Sequence, residues 1–208
     1  LQELCCDMAL VDQENLQEMK EFFMAHCNDG PFIGFDFETT DQLNHPDFLE
    51  ATTGDVYVDI LSSKVTGASF NFGDNLQYTL YLSVDHADTL NLDKSEVVEF
   101  LRACDPKKLA VQNAAFEVAV SKLDLEYHIE SPVDTQILHC HIDEDCLQGH
   151  GLKYLSRHYL DYSQDTYKET LERAGVGNMS ELSGVQVLKY GCDDALVTSH
   201  LATIFRLE

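Results

Sequence analysis

Apolar and polar positions along the chain switch between two periods, and the switches outline its elements. Met8-Ala-Leu-Val11 is a short apolar run followed by Asp12, an N-cap residue type, and then by helical spacing at Leu16, Met19, Phe22, Phe23 and Cys27. A strand and a helix are predicted there. Asn28-Asp-Gly-Pro31 is dense turn chemistry, and Phe32-Ile-Gly-Phe-Asp-Phe-Glu-Thr39 after it has the aromatic content of a strand. The polar stretch from Asp41 to Asp55 reads as an extended loop or insertion. Two strands follow, near Val65 to Phe72 and Gln77 to Val84, and Gly73-Asp-Asn75 between them predicts an antiparallel hairpin. Ser95 is expected to cap a helix reaching about Cys104, Leu109-Ala-Val-Gln112 to form a short buried strand, and Ala114 to Leu123 to be helical. From Asp134 onward the pattern is helical, with breaks at Gly149-His-Gly151 and Gly175-Val-Gly177. Strands first and helices later predict an α/β chain with a mixed central sheet and a helical C-terminal half. No repeat or low-complexity tract is seen, and residues 1–208 are read as a single domain.

Composition narrows the class. With 208 residues and 44% hydrophobic content the chain can bury a sizeable core. It has no apolar run of the roughly 18 residues a membrane span requires and no basic-then-apolar leader, so a soluble, intracellular, cytoplasmic protein is expected. Seven cysteines scattered through apolar segments are read as free thiols. His139, Cys140, His141 and Cys146 superficially resemble a zinc cluster, but their spacing fits no common structural site. The net charge of −24, from 13 Lys and Arg against 37 Asp and Glu, has the wrong sign for gripping phosphates. Either an attached basic domain supplies the grip or the acidity serves solubility. The start at Leu1 rather than Met favours a piece of a longer polypeptide.

Two acids carry the chemistry on strand 32–39. Asp36 and Glu38 are two apart and project from one face, with Phe35 and Phe37 pointing into the core. Side by side they repel, a cost that a divalent cation between them relieves; a solvated strand face is the alternative. On the last helix Tyr190 and Asp194 are four apart and share a face, beside an apolar stripe of Leu188, Ala195, Leu196, Leu201 and Phe205. A phenol beside a carboxylate can orient a water for attack.

Phe35-Asp-Phe-Glu-Thr39, Asn113-Ala-Ala-Phe-Glu117 and Tyr190-Gly-Cys-Asp-Asp194 stand in the order of the three exonuclease motifs of the DnaQ-like superfamily, and the Tyr-x-x-x-Asp form resembles its tyrosine branch. Within that branch the chain is similar, almost end to end, to the proofreading domain of family A, DNA polymerase I-type enzymes. Leu10-Val-Asp-Gln-Glu-Asn-Leu, Val65-Thr-Gly-Ala-Ser-Phe, Val133-Asp-Thr-Gln-Ile-Leu and Gly151-Leu-Lys-Tyr-Leu-Ser carry the rest of the likeness. It departs at Glu117, where the family has Asp, and from Asp41 to Val58, which is longer than the usual connection.

The resemblance implies a ribonuclease H-like fold and a 3′→5′ exonuclease that removes nucleoside 5′-monophosphates from single-stranded or frayed DNA 3′ ends. Asp36, Glu38, Glu117 and Asp194 would hold two Mg²⁺ or Mn²⁺ ions, with Tyr190 orienting the attacking water. Thr39, Asn113 and Phe116 are the candidates for contact with the strand, core packing being the other reading of Phe116. Asp134 reads as a helix N-cap. Lys153 and Arg157, four apart on a helix, either touch a phosphate or balance nearby acids. The implied context is an attached polymerase, a bacterial or phage source, and a monomer. The competing readings are a ribonuclease D-like RNA exonuclease and a catalytically dead exonuclease-like scaffold.

Overall fold

A computed structural model describes residues 4, 6–40, 60, 61 and 63–207. The stretch from 41 to 58, read as a loop or insertion, lies outside the described residues. The chain starts with β1 (Asp7–Val11) and α1 (Leu16–His26). Asn15, not Asp12, occupies the N-cap of α1. Asn15 donates to the Leu10 carbonyl (2.8 Å) and accepts from the Asp12 N–H (3.1 Å), while Asp12 accepts from the Glu14 N–H (2.9 Å). That local turn satisfies the backbone without helix and delays the helix past Asp12.

β2 (Ile33–Thr39), β3 (Val65–Phe72) and β4 (Tyr78–Ser83) follow as an antiparallel run, with the predicted hairpin between β3 and β4. α2 (Lys94–Ala103) has Asp93 at its N-cap, so Ser95 lies inside the first turn instead of capping it. β5 (Leu109–Val111) and α3 (Ala114–Asp124) then lead to β6 (Val133–Asp134), a two-residue strand not anticipated from the sequence, and to α4 (Thr135–Ile142). The remainder is α5 (Leu152–Leu160), α6 (Tyr167–Ala174), a 3₁₀ turn at Met179–Glu181 and α7 (Gly184–Phe205). The six-stranded sheet has the order β1-β4-β3-β2-β5-β6; β1 pairs with β4, β2 with β5 and β5 with β6 in parallel. The expected mixed α/β sheet flanked by helices is therefore the observed one.

Alternation in β2 sorts its residues to two faces. Phe35 and Phe37 are buried in the aromatic core, where Phe35 also packs on Phe70 and Phe70 on Phe23. Gly34 marks the opposite face: a Cβ there would lie 2.0 Å from the Ala195 carbonyl oxygen and 2.9 Å from Ser199 Cβ. α7 thus crosses β2 at backbone contact, and Asp36 and Glu38, in step with Gly34, face this helix. Across the sheet Asp36 pairs with Ser69 and Ser69 with Tyr81. Tyr81 fits because Gly67 and Gly191 leave room for its ring. His86 uses Nδ1 toward the Met179 carbonyl (3.1 Å), so its Nε2 accepts the Tyr81 hydroxyl (2.7 Å).

Asp134 caps α4 as expected, accepting the Gln136 N–H (2.9 Å). It also accepts the N–H groups of Asn113 (3.2 Å) and Ala114 (2.7 Å), tying the start of α3 to the start of α4. The described cysteines are free thiols, as expected. Among the described residues no helix is long and apolar enough to cross a membrane.

Gly34→Ala should push α7 off β2. It should cost about 1–3 kcal/mol of stability, read as a lowered urea midpoint with an unchanged slope.

Candidate active site

Three elements bring the candidate carboxylates together. β2 supplies Asp36 and Glu38, α3 supplies Glu117 one turn from its start, and α7 supplies Asp194. Glu117 is only 2% exposed and so is not a solvated surface charge. Glu38 is buried as well, while Asp36 and Asp194 keep some exposure. The Phe37 N–H donates to Glu117. Glu117 Oε2 is nevertheless buried with no hydrogen-bond partner among the described residues. Buried polar atoms are rarely left so.

The electrostatics follow from this crowding. Burial, then the neighbouring Asp36, then Glu38 and Asp194, push the Glu117 carboxyl well above the ordinary carboxylate range, with the Phe37 N–H opposing. Asp36 is pushed well up by burial and by Asp194, against Lys153. Asp194 is raised by burial although Lys153 and Gln164 oppose it. Tyr81, beneath Glu38 and Asp36 on the same sheet face, is driven well up by burial and then by Glu38. Four acids thus share one poorly solvated patch with a single ammonium, Lys153, among the groups shaping it.

Gln164 is the residue that sequence reasoning did not place here, whereas Lys153, read as touching a phosphate or balancing nearby acids, pairs with an acid of the patch. Lys153, on the first turn of α5, pairs with Asp194 Oδ1 and sits 5.0 Å above the Tyr190 ring. Gln164 donates to the same oxygen at 2.5 Å, and its own Oε1 is buried without a partner among the described residues. It sits in the break at 161–166, which the helical pattern hid; Asp161, a non-glycine in the left-handed conformation (φ 52°), ends α5 there. The capping box of Thr166 with Glu169, legible as Thr-x-x-Glu, was the available signal for a new helix and hence for a loop before it.

Tyr190 lies one turn before Asp194 on α7 and is partly buried. Asn113 is the exposed, left-handed N-cap of α3 (φ 64°), four residues before Glu117. Thr39 ends β2, where the register with β3 slips between Glu38 and Thr39 and re-aims the side chain. Phe116 packs against the main core, consistent with its structural reading. Arg157, further along α5, is exposed.

An all-oxygen donor set of buried carboxylates with an orphaned Glu117 oxygen fits hard divalent cations such as Mg²⁺ or Mn²⁺. Glu117 is long enough to reach into the patch from a helix start held by Asp134. Cys140, His141 and Arg157 are not drawn into it.

Charge crowding has a measurable consequence without metal. Below the ordinary carboxylate range Glu117 is protonated both folded and unfolded. As pH rises, the unfolded chain ionises first, so stability falls until the raised folded value is passed. In EDTA, Glu117→Gln should therefore raise the urea midpoint at neutral pH, and the gain should vanish near pH 4, where the parent is protonated too.

No protein-family model matches the chain, and no curated protein sequence matches it. Solved structures do. E. coli RNase D, an exoribonuclease involved in structured RNA processing, matches with a TM-score of 0.61 at 14% identity over 97% of this chain and 44% of its own. The POL domain of Pol1 from M. smegmatis, in complex with DNA primer-template and dNTP, matches at 0.57 and 14% over 96% of this chain and 27% of its own. Brucella melitensis NrnC with bound Mg²⁺ matches at 0.55 and 17% over 86% and 73%. The chain thus spans less than half the length of the first two. At these identities what is shared is the architecture, the ribonuclease H-like α/β fold with its mixed six-stranded sheet.

Proposed function

We propose that the chain is a divalent-metal-dependent 3′→5′ exonuclease that removes nucleoside 5′-monophosphates from single-stranded or frayed DNA ends, as a proofreading domain attached to a polymerase does. The observation that carries this reading is the convergence of Asp36, Glu38, Glu117 and Asp194 from β2, α3 and α7 in one buried patch. The likeness in fold to RNase D, Pol1 and Mg²⁺-bound NrnC supports it.

In this reading the carboxylates would hold two divalent ions, which when bound supply Lewis acidity and charge neutralisation for in-line displacement at phosphorus. Asp36 and Glu38 present their oxygens from a rigid strand. Glu117 reaches the patch from α3, whose N-terminus Asp134 fixes. Tyr190 orients the attacking water through its hydroxyl. Lys153 holds Asp194 and stands ready to meet the phosphate once Asp194 turns to its ligand role. Asn113, which is exposed, and Thr39, at the end of β2, face the incoming strand. Only an unpaired end fits such a site, which selects mismatched primers without reading sequence.

Mg²⁺ or Mn²⁺ should support release of single nucleotides from the 3′ end of single-stranded DNA, and EDTA should stop it. Asp36→Ala should abolish release while the chain stays folded. Internal cutting, or EDTA-insensitive activity, would overturn the reading; faster release from RNA than from DNA would move the substrate to RNA, as the RNase D likeness favours. Glu117→Asp should slow release by roughly 10²-fold, since a gap near 1 Å misplaces a ligand, and a rise instead would mark Glu117 as a damaged ligand. Tyr190→Phe should cost roughly 10²-fold in rate with Mn²⁺ binding retained by calorimetry.

With 13 cationic against 37 acidic side chains, few groups can release counterions from DNA. Metal-free binding of the isolated chain to single-stranded DNA should be weaker than about micromolar, measured by anisotropy.

A further inference from the structure

A second group of potential ligands lies away from the carboxylate patch. α4 ends at Ile142, and Asp143 is its C-cap, with its N–H bonded to the His139 carbonyl (2.9 Å). His139 and Asp143 are therefore one helical turn apart on one face. The chain then turns so that Cys146 meets them: one ligand atom from each of His139, Asp143 and Cys146 lies within 4.8 Å of the others. His150 closes the turn, its Nδ1 2.6 Å from His139 Nδ1. On the other side of the His139 ring, Nε2 lies 3.1 Å from the Tyr159 hydroxyl, the outer contact that orients a ligand histidine.

The three residues fall at His139, Asp143 and Cys146, a spacing of four and three. The cluster that the sequence offered, with Cys140 and His141, is not the one assembled: His141 is exposed and neither residue joins the group. A helical turn supplies His139 with Asp143, and the loop supplies Cys146. Imidazole, thiolate and carboxylate together suit a borderline ion such as Zn²⁺ rather than the hard cations of the carboxylate patch.

The placement gives such an ion a task. The His150 carbonyl accepts from Gln112 Nε2 (2.8 Å), and Gln112 Oε1 accepts from Thr135 Oγ1 (2.5 Å), so the loop is anchored between the end of β5 and the start of α4. Gly151 next caps α5, on which Lys153 reaches Asp194. We propose that His139, Asp143 and Cys146 hold a Zn²⁺ ion that fixes the 143–150 turn between α4 and α5. The site does not depend on the nuclease reading.

The whole chain, purified without chelator, loaded with zinc and freed of excess by gel filtration, should retain one equivalent of Zn²⁺ by elemental analysis. Replacement by Co²⁺ should give a thiolate-to-cobalt absorption band in the near ultraviolet. Asp143→Asn, at an exposed position, and Cys146→Ser should each lose the equivalent, and Cys146→Ser the band. Cys140→Ser and Asp36→Asn should keep both. Absence of retained zinc from the folded parent would overturn the proposal. So would retention of the equivalent by Asp143→Asn and Cys146→Ser alike, or its loss from Asp36→Asn, which would place the ion in the carboxylate patch.

Discussion

Bringing four acids into one poorly solvated patch is the constraint around which this chain is organised. Each carboxylate would be easier to keep charged alone and in water. Asp36 and Glu117 are both pushed well above the carboxylate range by burial first and by their acidic neighbours second. The assembly stands because each acid sits on an element fixed by contacts unrelated to it. β2 is locked by its aromatic face, α7 by backbone contact at Gly34, and α3 by the Asp134 cap. Stability is surrendered locally and recovered in a core that the acids do not touch.

This division explains what could be read in the sequence. The faces of β2 follow from strict alternation, so Asp36 and Glu38 were placed correctly against Phe35 and Phe37, and the Asp134 cap was legible from residue type. Periods fail where an element is shorter than one period. β6, two residues long, was absorbed into the helix after it. The loop holding Gln164 was likewise absorbed, because the apolar spacing resumes at once in α6. Asn15 displaced Asp12 as cap through three local hydrogen bonds that no periodicity encodes. The group at His139 and Cys146 was noticed but set aside on its spacing, and Asp143 was not seen with it, for a related reason: its geometry comes from a turn, and residue spacing in a turn carries little distance information.

The strongly acidic balance looks different once charges are located. Several of the scarce cations are spent inside the fold. Asp124 is paired with Lys64 and Lys94, Glu96 and Glu99 with Lys20, and Asp194 with Lys153. Those ion pairs leave less free positive charge to track a phosphate backbone.

Cys192-Asp193-Asp194 shows how the fold assigns different roles to neighbouring identical residues. Burial alone would nominate Asp193, at 1% exposed, as the functional acid. Its partners argue otherwise. It accepts the Tyr162 hydroxyl at 2.7 Å and the Lys189 ammonium at 2.5 Å, and the Tyr162 phenol, pushed up to about 12 by burial and then by Asp193, stays protonated to donate. Asp193 is thereby neutralised and satisfied, with no free oxygen to offer. Asp194, rotated about 100° around the helix, meets the other acids instead, and its contacts with Lys153 and Gln164 all converge on the single oxygen Oδ1. A helix can carry both only because successive residues point to different faces. The same rotation aligns Asp194 with Tyr190 and sends Asp193 back onto Lys189, so one sequence run builds a structural ion pair and a carboxylate turned toward the other acids side by side.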